Sequence, residues 1–242
     1  NNFTTPSIRK VSFRNLDPSA HDYIIVSHPL LMKPSGGYAN PVKAYAAYRA
    51  SSAGGSYDTL VMYIRQLYDQ FNYGEISPLA ISRFMAYMVN NGTPRYLFII
   101  GKGLDLNLDM NLKLGGYYRN PSAFPRPDLV PSAGMPASDI LFTAGLAGTT
   151  TEPAVPTGRI TANTPQDVAA YLNKVKEMEI LPYNDLWRKE ILHLSGGIHP
   201  GEPEIFKNYM EGFAAVAEDF YLGGKVSAIP KNTTDIVFLN IS

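Results

Sequence analysis

The stretch Glu152-Pro-Ala-Val-Pro-Thr-Gly-Arg-Ile160, followed at once by Thr161-Ala-Asn-Thr-Pro165, decides how this chain is read. Its first part, Ala154 to Arg159, reads as a short strand ending in Gly158-Arg159. Asn163-Thr164-Pro165-Gln-Asp then carries the signature of a helix start, with proline in the first turn. The helix continues through Val168-Ala-Ala-Tyr-Leu-Asn-Lys-Val175 to about Ile180, where Leu181-Pro182 stops it. A strand leading directly into a helix is half of a βαβ unit, so the same alternation is sought on either side.

It is found on both sides. Tyr23-Ile-Ile-Val-Ser27 and Tyr96-Leu-Phe-Ile-Ile100 are fully apolar runs, the pattern of strands buried on both faces of a parallel sheet. Thr59-Leu-Val-Met-Tyr-Ile64 reads as another strand. Asn40-Pro41 opens a helix through Arg49, with Asn40 as N-cap. Ser77-Pro78 opens a second, with apolar residues at Leu79, Ile81, Phe84, Met85, Met88 and Val89, closed by Asn91-Gly92. Downstream, Glu190–Ser195 is a strand, about Pro203 to Leu222 an amphipathic helix capped by Gly223-Gly224, and Lys225–Ile229 and Asp235–Asn240 are short strands. The fold class predicted is α/β, a parallel sheet flanked by helices. The chain divides into a first α/β subdomain, residues 1–182, and the start of a second, 183–242. An insertion of loop and hairpin occupies about 103–151.

Within that insertion, Asp105-Leu-Asn-Leu-Asp-Met-Asn-Leu-Lys-Leu114 alternates polar and apolar residues, which predicts a half-exposed strand turning at Gly115-Gly116. The proline-rich run Pro121–Pro136 is expected to be extended, Ser138-Asp-Ile-Leu-Phe142 to be a short strand, and Gly145–Thr151 a loop tip.

Composition excludes several classes of function. The 242 residues have 45% hydrophobic and 17% charged side chains and a formal net charge of zero. Such a chain folds as a globular protein and offers no basic surface for nucleic acid. No apolar run approaches the roughly 20 residues of a membrane-spanning helix. With no cysteine, the sequence has no disulfide, no thiolate metal site and no cysteine nucleophile. Asn1 stands where an initiator methionine would, and the chain is expected to be a segment of a longer protein.

Few motifs survive as chemistry. Gly101-Lys102-Gly103 follows a strand, but the phosphate-binding P-loop needs a longer glycine-framed loop and a helix behind it, so a tight turn is expected. Asp105, Asn107, Asp109 and Asn111 match the first ligands of a calcium loop, yet Met110 replaces its glycine and Gly116 its bidentate glutamate. Calcium therefore stays as an alternative to a strand face, and no other cofactor or metal is expected. Among the histidines, His28 ends the first strand and His193 lies inside a strand, both with structural roles. His199 differs. It sits in Gly196-Gly-Ile-His-Pro-Gly-Glu202 at the carboxyl end of a parallel strand, the edge that faces ligands in open α/β sheets. Glu202 and Glu204 follow at the helix start, where negative charge suits the helix N-terminus. No serine lies in a Gly-x-Ser-x-Gly elbow.

Taken in order, Ile100-Gly-Lys102, Ser138-Asp-Ile-Leu-Phe142, Pro156-Thr-Gly-Arg159, Lys174-Val-Lys-Glu-Met-Glu179 and Trp187-Arg-Lys189 resemble the catalytic domain of the gingipain-type cysteine peptidases, family C25 of the caspase-like clan. The match runs from about Tyr23 to Ser242. Tyr57-Asp58 and Leu67-Tyr-Asp-Gln-Phe-Asn-Tyr-Gly-Glu-Ile-Ser-Pro78 look like the sortase-related branch that serves type IX secretion. The resemblance implies two side-by-side α/β subdomains, a protein or peptide substrate, and a location outside the cell or on the outer-membrane surface of a Gram-negative bacterium. It implies a cysteine nucleophile with a histidine as proton partner, both expected in a catalytic half beyond Ser242, so the segment alone is expected to be inactive. In the family, the loop after the Glu190–Ser195 strand can carry an acidic residue that supports the histidine. Here Gly196 or Gly197 holds that position, leaving the carboxylate either absent or supplied by Glu202 or Glu204. Gly196, Gly197, His199, Glu202 and Glu204 are thus the candidate lining of the peptide cleft. The alternative is a peptidase-like scaffold or binding module without chemistry.

Overall fold

A computed structural model describes residues 10–104, 128–134, 136–182 and 184–231. The chain forms two compact units, Asn1–Glu179 and Ile180–Ser242.

The first unit is built on four parallel strands, β1 (Tyr23–Ser27), β2 (Thr59–Tyr63), β3 (Tyr96–Ile100) and β4 (Thr157–Ile160), in the order β2-β1-β3-β4. Period-two alternation of side chains sends them to two faces, each covered by a helical layer. On one face Ile24, Val26, Leu60, Met62, Leu97 and Ile99 pack against α2 (Ile64–Phe71) and α3 (Leu79–Asn91) through Leu67, Ile81, Phe84 and Met85. On the other, Tyr23, Ile25, Phe98 and Ile100 pack against α1 (Pro41–Ala50) and α4 (Pro165–Ile180) through Val42, Tyr45, Val168 and Leu172. All five residues of β1 are buried, as expected for a central strand with helices on both sides. Burying one such side chain as large as Phe84 stabilises by about 1.5–3 kcal/mol relative to leaving it in water.

Local chemistry sets the helix starts. The Asn40 side chain accepts from the Lys43 amide at 3.0 Å, with Pro41 following it. At α4 the Asp167 carboxylate reaches back to the amides of Asn163 and Thr164, at 2.8 and 2.9 Å, and Thr164 Oγ1 accepts from the Asp167 amide at 3.3 Å. Together these form a capping box.

The structure corrects two expectations and adds an element. Asp139–Phe142 is a 3-10 turn, not a strand, because Asp139 is held by Arg159 while Phe142 turns into the core. The strand read as Ala154–Arg159 is shorter and shifted to Thr157–Ile160, since the carbonyl of Val155 is taken by the Thr143 hydroxyl at 2.9 Å. Helix α2 follows β2 without a loop; its apolar residues Ile64, Leu67, Tyr68 and Phe71 have the i, i+3, i+4, i+7 spacing of an amphipathic helix. The expected alternating strand at 105–114, the turn at Gly115-Gly116, the calcium-like pattern, most of the proline-rich run and the strand at 235–240 lie outside the described residues.

The second unit pairs β5 (Glu190–Ser195) in parallel with β6 (Lys225–Pro230), and α5 (Glu202–Ala217) connects them. Two strands and a helix have little capacity to enclose a core. Among its described residues Ser195 is buried, while Leu192, Leu194, Ile205, Phe206, Tyr209, Phe213 and Val216 are exposed.

Candidate functional site

In open α/β sheets the ligand-facing side chains converge at the edge formed by the carboxyl ends of the strands. In the first unit that edge is filled by its own chain. At β1, Ser27 Oγ donates to the Ile100 carbonyl at 2.9 Å. His28 Nδ1 accepts from the Leu30 amide at 3.1 Å and caps the 3-10 turn Pro29–Met32. Burial holds the His28 imidazole below its ordinary pKa. At β3, the amides of Gly101 and Lys102 are spent within the fold. Gly101 N–H donates to the Ile160 carbonyl and Lys102 N–H to that of Ala162, while the Lys102 carbonyl accepts from Leu129 and Val130. A Cβ on Gly103 would stand 2.5 Å from Ser132 Oγ and 2.9 Å from the Val130 carbonyl. Two of the three amides a phosphate would need are already engaged.

The organising residue of this edge is Arg159, at the end of β4. Its Nε and Nη2 make a two-pronged ion pair with Asp139, at 2.6 and 2.8 Å. The remaining donors reach the carbonyls of Gly101 at 2.6 Å, Val130 at 2.7 Å and Pro131 at 3.1 Å. Every prong of the guanidinium is satisfied, and with side-chain exposure of only 9% it ties strand β3, segment 129–131 and the turn at Asp139 into one body. Gly-Arg and Ser-Asp stood out in the sequence as separate motifs. Nothing in their spacing showed that they are the two halves of one contact.

The second unit's edge holds the cleft candidates. Gly196, Gly197 and His199 fall in a single loop between β5 and α5, while Glu202 opens α5 and Glu204 stands exposed in its first turn. One Glu202 oxygen accepts from the amides of Ile198 and His199, at 2.7 and 2.9 Å. Those two amides hold the Glu202 carboxyl below its usual pKa, with the Lys231 charge adding to the effect. Gly197 has φ +149°, and a Cβ there would meet the Pro203 ring and Glu202 Cβ at 2.8–2.9 Å, so no other residue fits. Its carbonyl accepts from Lys231 Nζ, and Lys231 N–H donates to the Ser195 carbonyl at 2.7 Å. The loop is therefore pinned at both ends, and it presents the exposed His199 and an Ile198 that is 90% exposed. Glu202, offered as a support for a catalytic histidine beyond Ser242, spends one carboxylate oxygen on the amides of its own loop. His193 lies within β5, half-buried against α5, and its Nδ1 has no partner among the described residues.

What the described geometry shows is an ordered, solvent-exposed loop. Among the described residues it contains no activated nucleophile, and no group of three or more His, Cys, Asp or Glu side chains could hold a metal ion. No described helix is long and apolar enough to cross a membrane.

Comparison with known proteins supplies the context. Residues 16–237 match the model of Peptidase family C25. The chain belongs to that family. Its first unit, a four-stranded parallel sheet flanked by helices, is the α/β class expected from the sequence. A solved structure similar to it is that of dimeric latent PorU from Porphyromonas gingivalis, with 15% identity and a TM-score of 0.45 over 73% of this chain. The C25 chain described here spans 20% of that PorU chain. No curated protein matched the sequence.

Proposed function

We propose that this chain is the N-terminal portion of a gingipain-like cysteine endopeptidase, of the sortase type that removes C-terminal sorting signals from cargo of type IX secretion. The observation that carries the peptidase reading is the family match across residues 16–237. The sortase assignment rests on the motifs at Tyr57-Asp58 and Leu67–Pro78, and with it goes a place at the outer surface of a Gram-negative cell. Since the sequence has no cysteine, the nucleophile comes from a part of the protein outside these residues. There a thiolate would attack the scissile carbonyl carbon, and the departing amine would take its proton from the partner imidazolium. Water would then hydrolyse the thioester. The first unit would buttress that catalytic half, and the loop Gly196–Glu202 would line one side of the peptide cleft.

The absence of cysteine also favours a second reading, a peptidase-like scaffold that binds without cutting. Full-length protein incubated with peptides that span a cargo's sorting-domain junction separates the two. The peptidase reading expects cleavage that a thiol alkylator abolishes. Binding without cleavage would support the scaffold, and cleavage indifferent to alkylation would overturn both.

A further inference from the structure

β2 is one edge of the four-stranded sheet. The Asp58 carbonyl turns toward β1, accepting from the amides of Asp22 and Tyr23 at 3.0 and 3.2 Å. By the alternation of a strand, Thr59, Val61 and Tyr63 then direct their N–H and C=O groups away from the sheet. Two of these outward groups are already held. Arg14 Nη1 donates to the Val61 carbonyl at 2.8 Å, and Gln66 Oε1 accepts from the Tyr63 amide at 3.1 Å. The amides of Thr59 and Val61 and the Thr59 carbonyl have no partner among the described residues.

Beside this edge runs an open groove of about 560 Å³. Ala46 and Ala47 of α1 and Val61 give it a small aliphatic floor, and its two charged lining residues, Lys43 and Arg14, are both cations. Arg14 uses Nη1 on Val61 and on Met62 Sδ; its Nε and Nη2 donors have no partner among the described residues. Unpaired strand edges are normally blunted by charge, and here the charge has one sign.

We propose that the edge of β2 receives an extended, acidic segment of a partner protein as an added strand. The backbone groups of Thr59 and Val61 supply ladder hydrogen bonds, as in strand addition to other sheet edges. Alternate side chains of the added strand fall into the groove, where Ala46 and Ala47 leave room for modest aliphatic groups. Its carboxylates meet Lys43 and the spare Arg14 donors, and a basic segment is repelled. The inference rests on the first unit alone.

The probe is a fluorescent peptide alternating Val with Glu and Asp, titrated by anisotropy against the full chain. Two controls accompany it: a peptide with Lys at the acidic positions, and the acidic peptide N-methylated at alternate amides. The acidic probe should bind, weakening at high salt, and should slow hydrogen exchange at the Thr59 and Val61 amides. Lys43→Glu, on an exposed helix position, should weaken it about tenfold. No binding, equal binding of the Lys peptide, or equal binding of the N-methylated peptide would each overturn the proposal. The last would mean adsorption to two cations without strand pairing.

Discussion

Arg159 and Asp139 form a two-pronged ion pair across a gap of 20 residues, and the same guanidinium also takes the carbonyls of Gly101, Val130 and Pro131. This contact turns the end of a strand into a hub for the segments that close the sheet's carboxyl edge. Removing one partner of such a pair strands the other, which costs about 3–5 kcal/mol when both are buried. Side-chain exposures of 9% for Arg159 and 19% for Asp139 place this pair near the lower end. Arg159→Ala is expected to lower stability by about 3 kcal/mol, or roughly 6–12 °C in Tm for a chain of this size, read by calorimetry. Arg159→Lys keeps the charge but loses the fork, and should recover less than half of the loss. A full recovery by lysine would show that charge alone matters.

His28 gives the first unit a pH dependence with a definite sign. Its Nδ1 accepts from the Leu30 amide, and burial holds its pKa below the ordinary value of 6.5. On acidification the unfolded chain takes up the proton first. Stability should therefore fall as pH drops below about 6.5 and continue to fall until the folded pKa is passed. His28→Asn keeps a capping acceptor without a titrating ring and should flatten chemical-denaturation midpoints across that window. An unchanged slope in the variant would assign the effect to other groups.

The loop that presents His199 depends on Glu202. Its carboxyl is held below the usual pKa by the Ile198 and His199 amides, so its contribution is present above about 4.5 and is lost as pH falls through the folded value. Glu202→Ala should speed hydrogen exchange at the Ile198 and His199 amides, with Glu202→Gln intermediate, and leave the first unit's exchange untouched. If the loop lines the peptide cleft as proposed, the same loosening in the full-length protein should raise KM for a peptide more than it lowers kcat.

Sequence legibility followed the range of each interaction. Tyr23–Ser27 and Tyr96–Ile100 could be read as buried strands because their environment is uniform on both faces, and Asn40-Pro41 because a cap is a local contact. Asp139–Phe142 has the local pattern of a strand but forms a 3-10 turn, because Asp139 is held by Arg159, a partner the local sequence does not contain. Helix α2 had a legible period but begins where β2 ends, with no breaker between Tyr63 and Ile64 to announce the change. At the candidate site, glycines and a histidine after a strand mark residues 196–201 as a loop leading into α5. That the Glu202 carboxylate accepts from the Ile198 and His199 amides could not be read from residue types.

Tyr45 is the buried polar pivot of the opposite sheet edge. Its hydroxyl lies 3.0 Å from that of Tyr23 and accepts from Arg49 Nε at 3.0 Å, while Arg49 Nη1 pairs with Glu179 at 2.8 Å. Burial raises the Tyr23 hydroxyl far above its ordinary pKa, so that group stays protonated and available as a donor. Tyr45→Phe keeps the ring stacked on Phe98 but removes the oxygen that both neighbours use. The Tyr23 hydroxyl is then left buried without its partner, and the cost is expected at about 1–3 kcal/mol. Tyr23→Phe made together with Tyr45→Phe removes both ends of that contact and should cost less than the two single changes added, a coupling read by a double-mutant cycle. Additive losses would show that water reaches the pair and that the two hydroxyls act independently.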